Sequence, residues 1–209
     1  MRWVDQSPRL PLQPVAAVAG RDAQLDAVLA AASDTARDAD GITVAIERAA
    51  LDAALAHLGQ HADEQGGLLL GEVFAEDDDP AATRVILVTQ AVPSRDFDST
   101  GMSLRMEAGV WSDARARLGA RELVVGWYHS HPDLGAFFSG IDRRTQRAFF
   151  PHAYSVGWVV DPLRGEAAVF VGAESGDPAR VVYCDGAVPP AGGAAAGGVD
   201  GCGAEGAGA

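Results

Sequence analysis

The apolar positions between residues 41 and 186 fall into short runs that predict a mixture of strands and helices. Short apolar runs bounded by turn residues are typical of buried strands. They lie at residues 42–46, 66–74, 84–91, 123–128, 154–160 and 167–171, with shorter candidates at 103–107 and 180–183. Because strands and helices do not alternate strictly as βαβ units, the pattern predicts the α+β class, or mixed-sheet α/β.

A helical periodicity follows the first predicted strand. Leu51, Leu55 and Leu58 have the i, i+4, i+7 spacing of one helix face, which predicts an amphipathic helix over residues 48–60. We expect these three leucines to face the core.

Two further helices are predicted later in the chain. Val110, Ala114 and Leu118 lie on one face of a helix. Another helix covers residues 139–150 and is stopped by Pro151.

The composition divides the chain into three parts. Residues 1–40 are predicted to be an N-terminal extension with one short helical stripe, and residues 41–186 are predicted to be the folded domain. Residues 187–209 are rich in alanine and glycine. Such a segment cannot bury enough apolar surface to offset its ordering entropy, so we expect a disordered tail.

The charge and the cysteine count exclude several classes of protein. The 209 residues carry a net charge of −13, which disfavours binding to nucleic-acid phosphates. No apolar run approaches the ~18 residues of a membrane span, and the N-terminus does not read as a signal peptide. Cys184 and Cys202 are too few for a disulfide framework. We therefore expect a cytoplasmic protein without a membrane or nucleic-acid partner.

Two histidines mark the candidate chemistry. His129 and His131 stand two residues apart at the end of the predicted strand 123–128, so both side chains point to one face. The chain can fold back at Gly135 and bring Asp142 in from the first turn of the next helix. Two imidazoles and one carboxylate leave a tetrahedral metal one open position, which is typical of catalytic zinc. Non-haem iron oxygenases use the same ligand types.

Each of these residues also has a purely structural interpretation. A His-x-His pair alone is compatible with exposed side chains, and Ser139 with Asp142 forms a capping-box pattern worth about 1 kcal/mol. The cap is compatible with metal binding, because a helix start is a rigid mount for Asp142. A second pair, His57 and His61, lacks the glutamate of a His-Glu-x-x-His motif. We interpret it as surface or capping residues near a helix C-terminus.

The chain resembles the JAMM (MPN+, JAB-domain) metallo-isopeptidases. The family signature is His-x-His, ten residues and Asp, with Ser three residues before the Asp, and the residues above match it without departure. The family also has a glutamate ahead of a Gly-Leu-x-x-Gly strand. Here Glu64 precedes the run 66–71, so Glu64 matches that position and Glu72 does not. The resemblance covers about residues 41–173.

The resemblance implies a fold and a mechanism. The fold is a single MPN/JAB domain with a cytidine-deaminase-like sheet flanked by helices. His129, His131 and Asp142 hold one Zn²⁺ in the family mechanism, Glu64 is the general base and then the general acid, and Ser139 donates a hydrogen bond to the oxyanion. The chain is thus expected to be a zinc metallopeptidase, in which neither cysteine is catalytic.

The resemblance also implies a substrate class. The family cleaves the amide bond after the C-terminal tail of a ubiquitin-like protein, in deconjugation or in precursor processing. A segment equivalent to residues 93–107 can order as a hairpin and pair with that tail, although a flexible loop is equally compatible. The short turn 159–165 argues against selection among polyubiquitin linkages. The absence of lysine and asparagine is typical of a GC-rich genome, which suggests a bacterial pathway with E1-like and E2-like partners.

Two alternatives remain within the resemblance. One is a peptidase that trims a sulfur-carrier precursor. The other is a non-catalytic MPN scaffold that binds partners. Scaffold members lose metal ligands or the glutamate, whereas this chain has all five residues.

Overall fold

The computed structural model describes residues 10–35, 41–60, 62–76, 79–95, 97–100, 103–106, 108–176 and 178–184. The strands are β1 (Gln13–Pro14), β2 (Thr43–Glu47), β3 (Gly66–Ala75), β4 (Thr83–Pro93), β5 (Phe97–Thr100), β6 (Ser103–Met106), β7 (Leu123–Ser130), β8 (Val156–Asp161), β9 (Glu166–Val171) and β10 (Arg180–Cys184). The helices are α1 (Ala23–Thr35), α2 (Arg48–Leu58), α3 (Ala108–Arg117) and α4 (Gly140–Phe149).

Eight of the strands form one mixed sheet with the order β10-β2-β4-β3-β7-β8-β9, in which the short β1 pairs with the end of β3, and β5 and β6 form a separate two-stranded sheet. β3 runs antiparallel to β4 and β7, whereas β7 runs parallel to β8. β2 runs parallel to both of its neighbours. This mixture confirms the predicted mixed-sheet class.

Helix α2 covers one face of the sheet, but its buried stripe differs from the predicted one. Ala50, Ala54 and Leu58 are buried against the sheet core, while Leu55 is 42% exposed and Leu51 only partly buried. The prediction that Leu55 faces the core is therefore wrong. Two alanines at i and i+4 let the helix backbone approach the sheet closely, and this packing sets the rotation of the helix.

The opposite face of the sheet carries α1, α3 and α4. Val110 and Ala114 of α3 are buried there with Trp127, as the predicted helix spacing implied. The helix predicted at residues 139–150 is α4, whose N-cap is Ser139.

Residues of the predicted extension pack on the same sheet. Leu25 of α1 is fully buried beside Phe74, and Arg21 forms a salt bridge of 3.1 Å with Glu72 on β3.

The division of the chain at residues 40 and 186 stays a prediction. Residues 1–9, 36–40 and 185–209 lie outside the described residues, and the tail and Cys202 are among them.

The segment predicted to be a hairpin or a flexible loop contains two paired strands. β5 and β6 pair antiparallel, from Phe97 with Met106 to Thr100 with Ser103. The hairpin follows directly after β4, and β6 lies close to α4. Within the described parts of the chain, no helix is long and apolar enough to cross a membrane.

Candidate metal centre

The end of β7 brings His129 and His131 together. The strand continues through Ser130, and the amide of His131 donates to the carbonyl of Val160 on β8 at 2.9 Å. Both histidines therefore stay in extended backbone, and both side chains point to the same side. Their Nε2 atoms lie 3.1 Å apart.

The first turn of α4 brings Asp142 to the histidines. Its Oδ1 lies 3.3 Å from Nε2 of His129, and its Oδ2 lies 3.5 Å from Nε2 of His131. The predicted capping box is also present. The backbone amide of Ser139 donates to Asp142 at 2.6 Å, and the Ser139 hydroxyl oxygen accepts from the amides of Ile141 and Asp142. The same carboxylate thus caps the helix and faces the histidines.

The charge states of the cluster suit a cation. Burial lowers the pKa of His129, and Asp142 offsets this only in part. Burial also acts to lower the pKa of His131, but the hydrogen bond and charge of Asp142, together with Glu64, raise it. Burial alone would raise the pKa of Asp142, yet hydrogen bonds from the two histidines hold it well below its usual range. The cluster therefore contains an ionised carboxylate.

The donor set fits a metal ion. His129, His131 and Asp142 each offer one ligand atom, and these atoms lie within 4.8 Å of one another. All three side chains are buried, with at most 4% of each residue exposed. Two imidazole nitrogens and a carboxylate oxygen are ligands that zinc takes in proteins.

Sheet pairing brings Glu64 to the same place. Gly66 of β3 pairs with His129 of β7 in antiparallel register. The pairing continues past the strand, because the carbonyl of Gln65 accepts from the amide of Ser130 at 2.8 Å and the amide of Gln65 donates to the Ser130 hydroxyl at 3.0 Å. This register sets residue 64 beside residue 131, and the charge of Glu64 acts on both histidines. Glu64 itself is partly exposed.

Aromatic side chains line the histidines. The Trp127 indole stacks on the His129 ring, with centroids 4.4 Å apart and planes 6° apart. Phe138 is buried 6.0 Å from His129, and the half-exposed Phe137 lies 5.2 Å from His131. The sequence prediction missed these contacts. Trp127 could have been found, because a residue two before His129 on a strand lies on the same face.

Two other described histidines, His57 and His152, lie apart from this cluster. His57 is in the last turn of α2, and its Nδ1 lies 3.0 Å from the hydroxyl of the buried Tyr128. It is partly buried near the C-terminus of α2, and the interpretation as a surface or capping residue did not include this contact. His61 lies outside the described residues. His152 is exposed and stacks on Tyr154.

Comparison with protein families gives a match that spans the sheet from the end of β2 to β9 and includes the whole candidate metal centre. The family described as prokaryotic homologs of the JAB domain matches residues 46–170, which include Glu64, both histidines, Ser139 and Asp142. The chain belongs to this family. The predicted resemblance to JAMM proteins is thereby confirmed, whereas the cytidine-deaminase-like description of the sheet stays a prediction.

Curated relatives of this JAB-domain chain include a ubiquitin hydrolase and subunits of the 26S proteasome. Ubiquitin carboxyl-terminal hydrolase RPN11 of Saccharomyces cerevisiae is 34% identical over 138 residues, covering 63% of this chain and 42% of the relative. The 26S proteasome non-ATPase regulatory subunit 14 of Drosophila melanogaster is 37% identical over 103 residues, covering 47% of this chain and 31% of the relative. The chain thus spans less than half the length of these relatives.

A solved structure shares the fold. A protein from Desulfitobacterium hafniense, determined in solution, superposes with a TM-score of 0.51 at 20% identity. The match covers 68% of this chain and 94% of the other. At this identity the likeness shows the fold alone.

Proposed function

We propose that this protein is a zinc-dependent peptidase that hydrolyses the amide bond after the C-terminal tail of a ubiquitin-like protein. The observation that carries the proposal is the buried cluster of His129, His131 and Asp142, with Glu64 beside it. The chain has the JAB domain, and one relative is named a ubiquitin carboxyl-terminal hydrolase.

His129, His131 and Asp142 would hold the zinc ion through two Nε2 atoms and a carboxylate oxygen. When bound, zinc supplies a Lewis acid and lowers the pKa of water enough for attack at neutral pH. The capping hydrogen bond from Ser139 fixes the Asp142 carboxylate. The Trp127 ring fixes the plane of the His129 imidazole. These contacts hold two of the three ligands in orientation before the substrate arrives.

Glu64 would move the proton. Its position beside His131, with part of the residue exposed, leaves its carboxylate open to substrate. We assign it as the general base that takes a proton from the attacking water and as the general acid that gives it to the leaving amine. Among the described residues, Glu72 is the acid to compare with it, and it suits this role less well. Glu72 is ion-paired with Arg21. It also lies eight residues beyond Glu64, or about 26 Å along an extended chain.

Ser139 would stabilise the oxyanion. A hydroxyl has one donor and two acceptor positions. The amides of Ile141 and Asp142 occupy the acceptor side of Ser139, so its O–H acts as a donor. It hydrogen-bonds the Asp142 carboxylate here and would turn to the oxyanion once that forms. Ser139 is partly exposed, as a group that contacts substrate must be. Such a donor in an acyl-transfer site contributes about 3 kcal/mol to transition-state stabilisation.

The β5–β6 hairpin would receive the substrate tail. It follows β4, whose last residue, Pro93, pairs with Gly67 next to the metal end of β3. A two-stranded hairpin has edges with unpaired amides and carbonyls, and an extended tail can add to such an edge. A tail with glycines lets its backbone pass close to the cluster. We infer that the hairpin aligns the scissile amide with Glu64.

The pathway belongs to the proposal as well. We infer a bacterial ubiquitin-like conjugation system in the cytoplasm, with E1-like and E2-like proteins as neighbours of the peptidase. The short turn between β8 and β9, residues 162–165, agrees with a substrate other than a specific polyubiquitin linkage.

The proposal is tested with a ubiquitin-fold protein that ends in Gly-Gly and is fused through a linear amide to a reporter domain. We expect cleavage after the second glycine that a strong chelator stops and that added zinc restores. A Cys184→Ser, Cys202→Ser double variant should cleave at the same rate. Thiol-alkylator inhibition that the double variant escapes would argue for a cysteine peptidase. Equal cleavage of a fusion that lacks the Gly-Gly end would overturn the substrate assignment.

A further inference from the structure

Asp161 is a buried acid that the proposed mechanism does not use. It is the last residue of β8 and has 0% exposure. Its carboxylate accepts hydrogen bonds from four backbone amides, namely those of Asp133 at 3.1 Å, Gly135 at 2.7 Å, Leu163 at 3.0 Å and Arg164 at 3.1 Å. Burial alone would raise the pKa of Asp161, but these amides outweigh it and lower the pKa to about 2. The group is therefore an anion at neutral pH.

The four amides belong to two loops. Leu163 and Arg164 lie in the turn between β8 and β9, and a carboxylate often organises such a turn. Asp133 and Gly135 lie in residues 132–138, the loop that joins His131 to the start of α4. Asp161 thus connects the end of β8 to the segment between two candidate metal ligands.

The loop at residues 132–138 has a conformation that needs support. Asp133 has a φ of 61° and Gly135 a φ of 94°, both in the left-handed region. A non-glycine residue adopts this region at a cost, which the surrounding contacts must offset. The backbone amides of both residues donate hydrogen bonds to the Asp161 carboxylate. The Arg164 guanidinium adds a bond of 3.1 Å to the Asp133 carboxylate, and it is half-exposed.

The same loop sets the distance between two ligands. Its first end is His131, whose amide is fixed to Val160, the neighbour of Asp161. Its other end is Ser139, the cap that fixes Asp142. Phe137 within the loop contacts the His131 ring. If the loop were released from β8, the position of Asp142 relative to His131 would no longer be fixed on this side.

We propose that Asp161 is a positioning residue of the metal centre: its buried carboxylate holds the loop 132–138 so that His131 and Asp142 are presented together. It does not touch the metal or the substrate. The inference rests on the proposed function, because it assumes that the cluster binds zinc. Partners that orient metal ligands from behind contribute a factor on the order of 10–100 in metal affinity.

The test compares the zinc affinity of the full-length wild type with that of Asp161→Asn, measured by competition with a chromophoric chelator. The asparagine keeps the size but replaces one acceptor oxygen with a donor that faces backbone N–H groups. We expect affinity to fall on the order of 10–100-fold. The matched control is Asp79→Asn, since Asp79 also accepts a backbone amide, that of Ala81 at 2.9 Å, in a turn on the β3–β4 connection. Its affinity should equal that of the wild type.

Two further measurements separate positioning from general stability. The absorption spectrum of cobalt bound at the site should shift in Asp161→Asn, because ligand geometry changes, while the circular dichroism of the metal-free protein stays the same. If Asp161→Asn does not fold, Gly135→Ala decides. That variant leaves β8 intact but strains the loop at its left-handed position, and an added Cβ there meets no atom closer than 3.4 Å. We expect it to weaken zinc binding in the same direction.

The possible results separate failure of this inference from failure of the proposed function. Tenfold or greater loss in Asp161→Asn with an unchanged control supports the inference. Wild-type affinity and an unshifted cobalt spectrum in folded Asp161→Asn would overturn it while leaving the proposed function standing. Wild-type affinity in Gly135→Ala would overturn it too when Asp161→Asn is unfolded. If the wild type itself binds no zinc, both the proposed function and this inference fail.

Discussion

The indole N–H of Trp127 donates a hydrogen bond of 2.6 Å to Oε1 of Gln146, and both residues are fully buried. Gln146 lies on α4, one turn after Asp142, and its amide nitrogen donates to the carbonyls of Ser155 and Gly172. The bond therefore connects the helix that carries one candidate ligand to the indole that stacks on another, His129.

This relationship predicts that two tryptophans respond differently to replacement by phenylalanine. Trp127→Phe leaves the buried Oε1 of Gln146 without its donor, and an unsatisfied buried acceptor costs about 1–3 kcal/mol. The indole N–H of Trp158 is buried without a hydrogen-bond partner among the described residues, so Trp158→Phe removes no such bond. Urea unfolding should show a larger loss of unfolding free energy for Trp127→Phe, by about that amount. Equal losses would contradict the assignment.

The metal ligands give a second prediction. Purified wild type should contain about one zinc per chain, because three protein ligands and one open position make a catalytic site. His131→Ala and Asp142→Ala should both lose the metal, as measured by elemental analysis after dialysis. His152→Ala is the matched control, since His152 is exposed and stacks on Tyr154. Full zinc retention in both ligand variants would refute the ligand assignment.

Replacement of Ser139 distinguishes its role as a helix cap from its proposed role in catalysis. Ser139→Ala removes the cap acceptor of α4 and should lower the unfolding free energy by about 1 kcal/mol. It should also lower turnover by a factor on the order of 10²–10³, because the oxyanion donor is lost. Ser139→Thr keeps the hydroxyl and should recover most of both. If Ser139→Ala loses stability but keeps its turnover, the residue is a helix cap and no more.

Glu47 lies outside the metal centre, and its pKa predicts that the unfolding free energy of the protein depends on pH. Burial, followed by the charges of Glu122 and Glu72, raises its pKa from 4.5 to about 6. The folded state therefore holds the proton more tightly than the unfolded state. This contribution is present at low pH and is lost as the pH rises through about 6.

Glu47→Gln cannot ionise and should be more stable than the wild type at pH 8, but not near pH 4. We expect a gain below about 1 kcal/mol, because the group is partly exposed and solvent screens it. Urea unfolding at the two pH values measures the difference. The control is Glu76→Gln, whose glutamate is exposed and pairs with Arg84. A variant that is less stable than the wild type at pH 8 would show that the Glu47 charge is favourable.

Much of the fold was predictable from local patterns. The apolar runs gave the strands of the sheet, since side-chain burial and strand propensity agree there. The spacing of His129, His131 and Asp142 was informative because a strand end and a helix start are both rigid. The wrong expectation for Leu55 has a different origin. Helix periodicity identifies several possible faces, and only contact with the sheet decides between a stripe of leucines and one of alanines.

Contacts between distant segments could not be predicted from the residues alone. The approach of Glu64 to His131 depends on the register of β3 against β7, which no local pattern sets. The resemblance to a family suggested this residue. The bonds of Gln146 and Asp161 were missed for the same reason, because a buried polar side chain has no periodic signature and its partners are backbone groups elsewhere in the chain.

We propose that Glu64 moves the proton at a metal centre held by other residues. Single-turnover cleavage of the Gly-Gly fusion by Glu64→Gln, with zinc content measured on the same samples, tests it most directly. The control is Glu76→Gln, an exposed glutamate at the far end of β3 that pairs with Arg84. We expect full zinc content and an intact fold in both variants, with turnover lower by a factor on the order of 10²–10⁴ in Glu64→Gln alone. Undiminished turnover of zinc-loaded Glu64→Gln would contradict it.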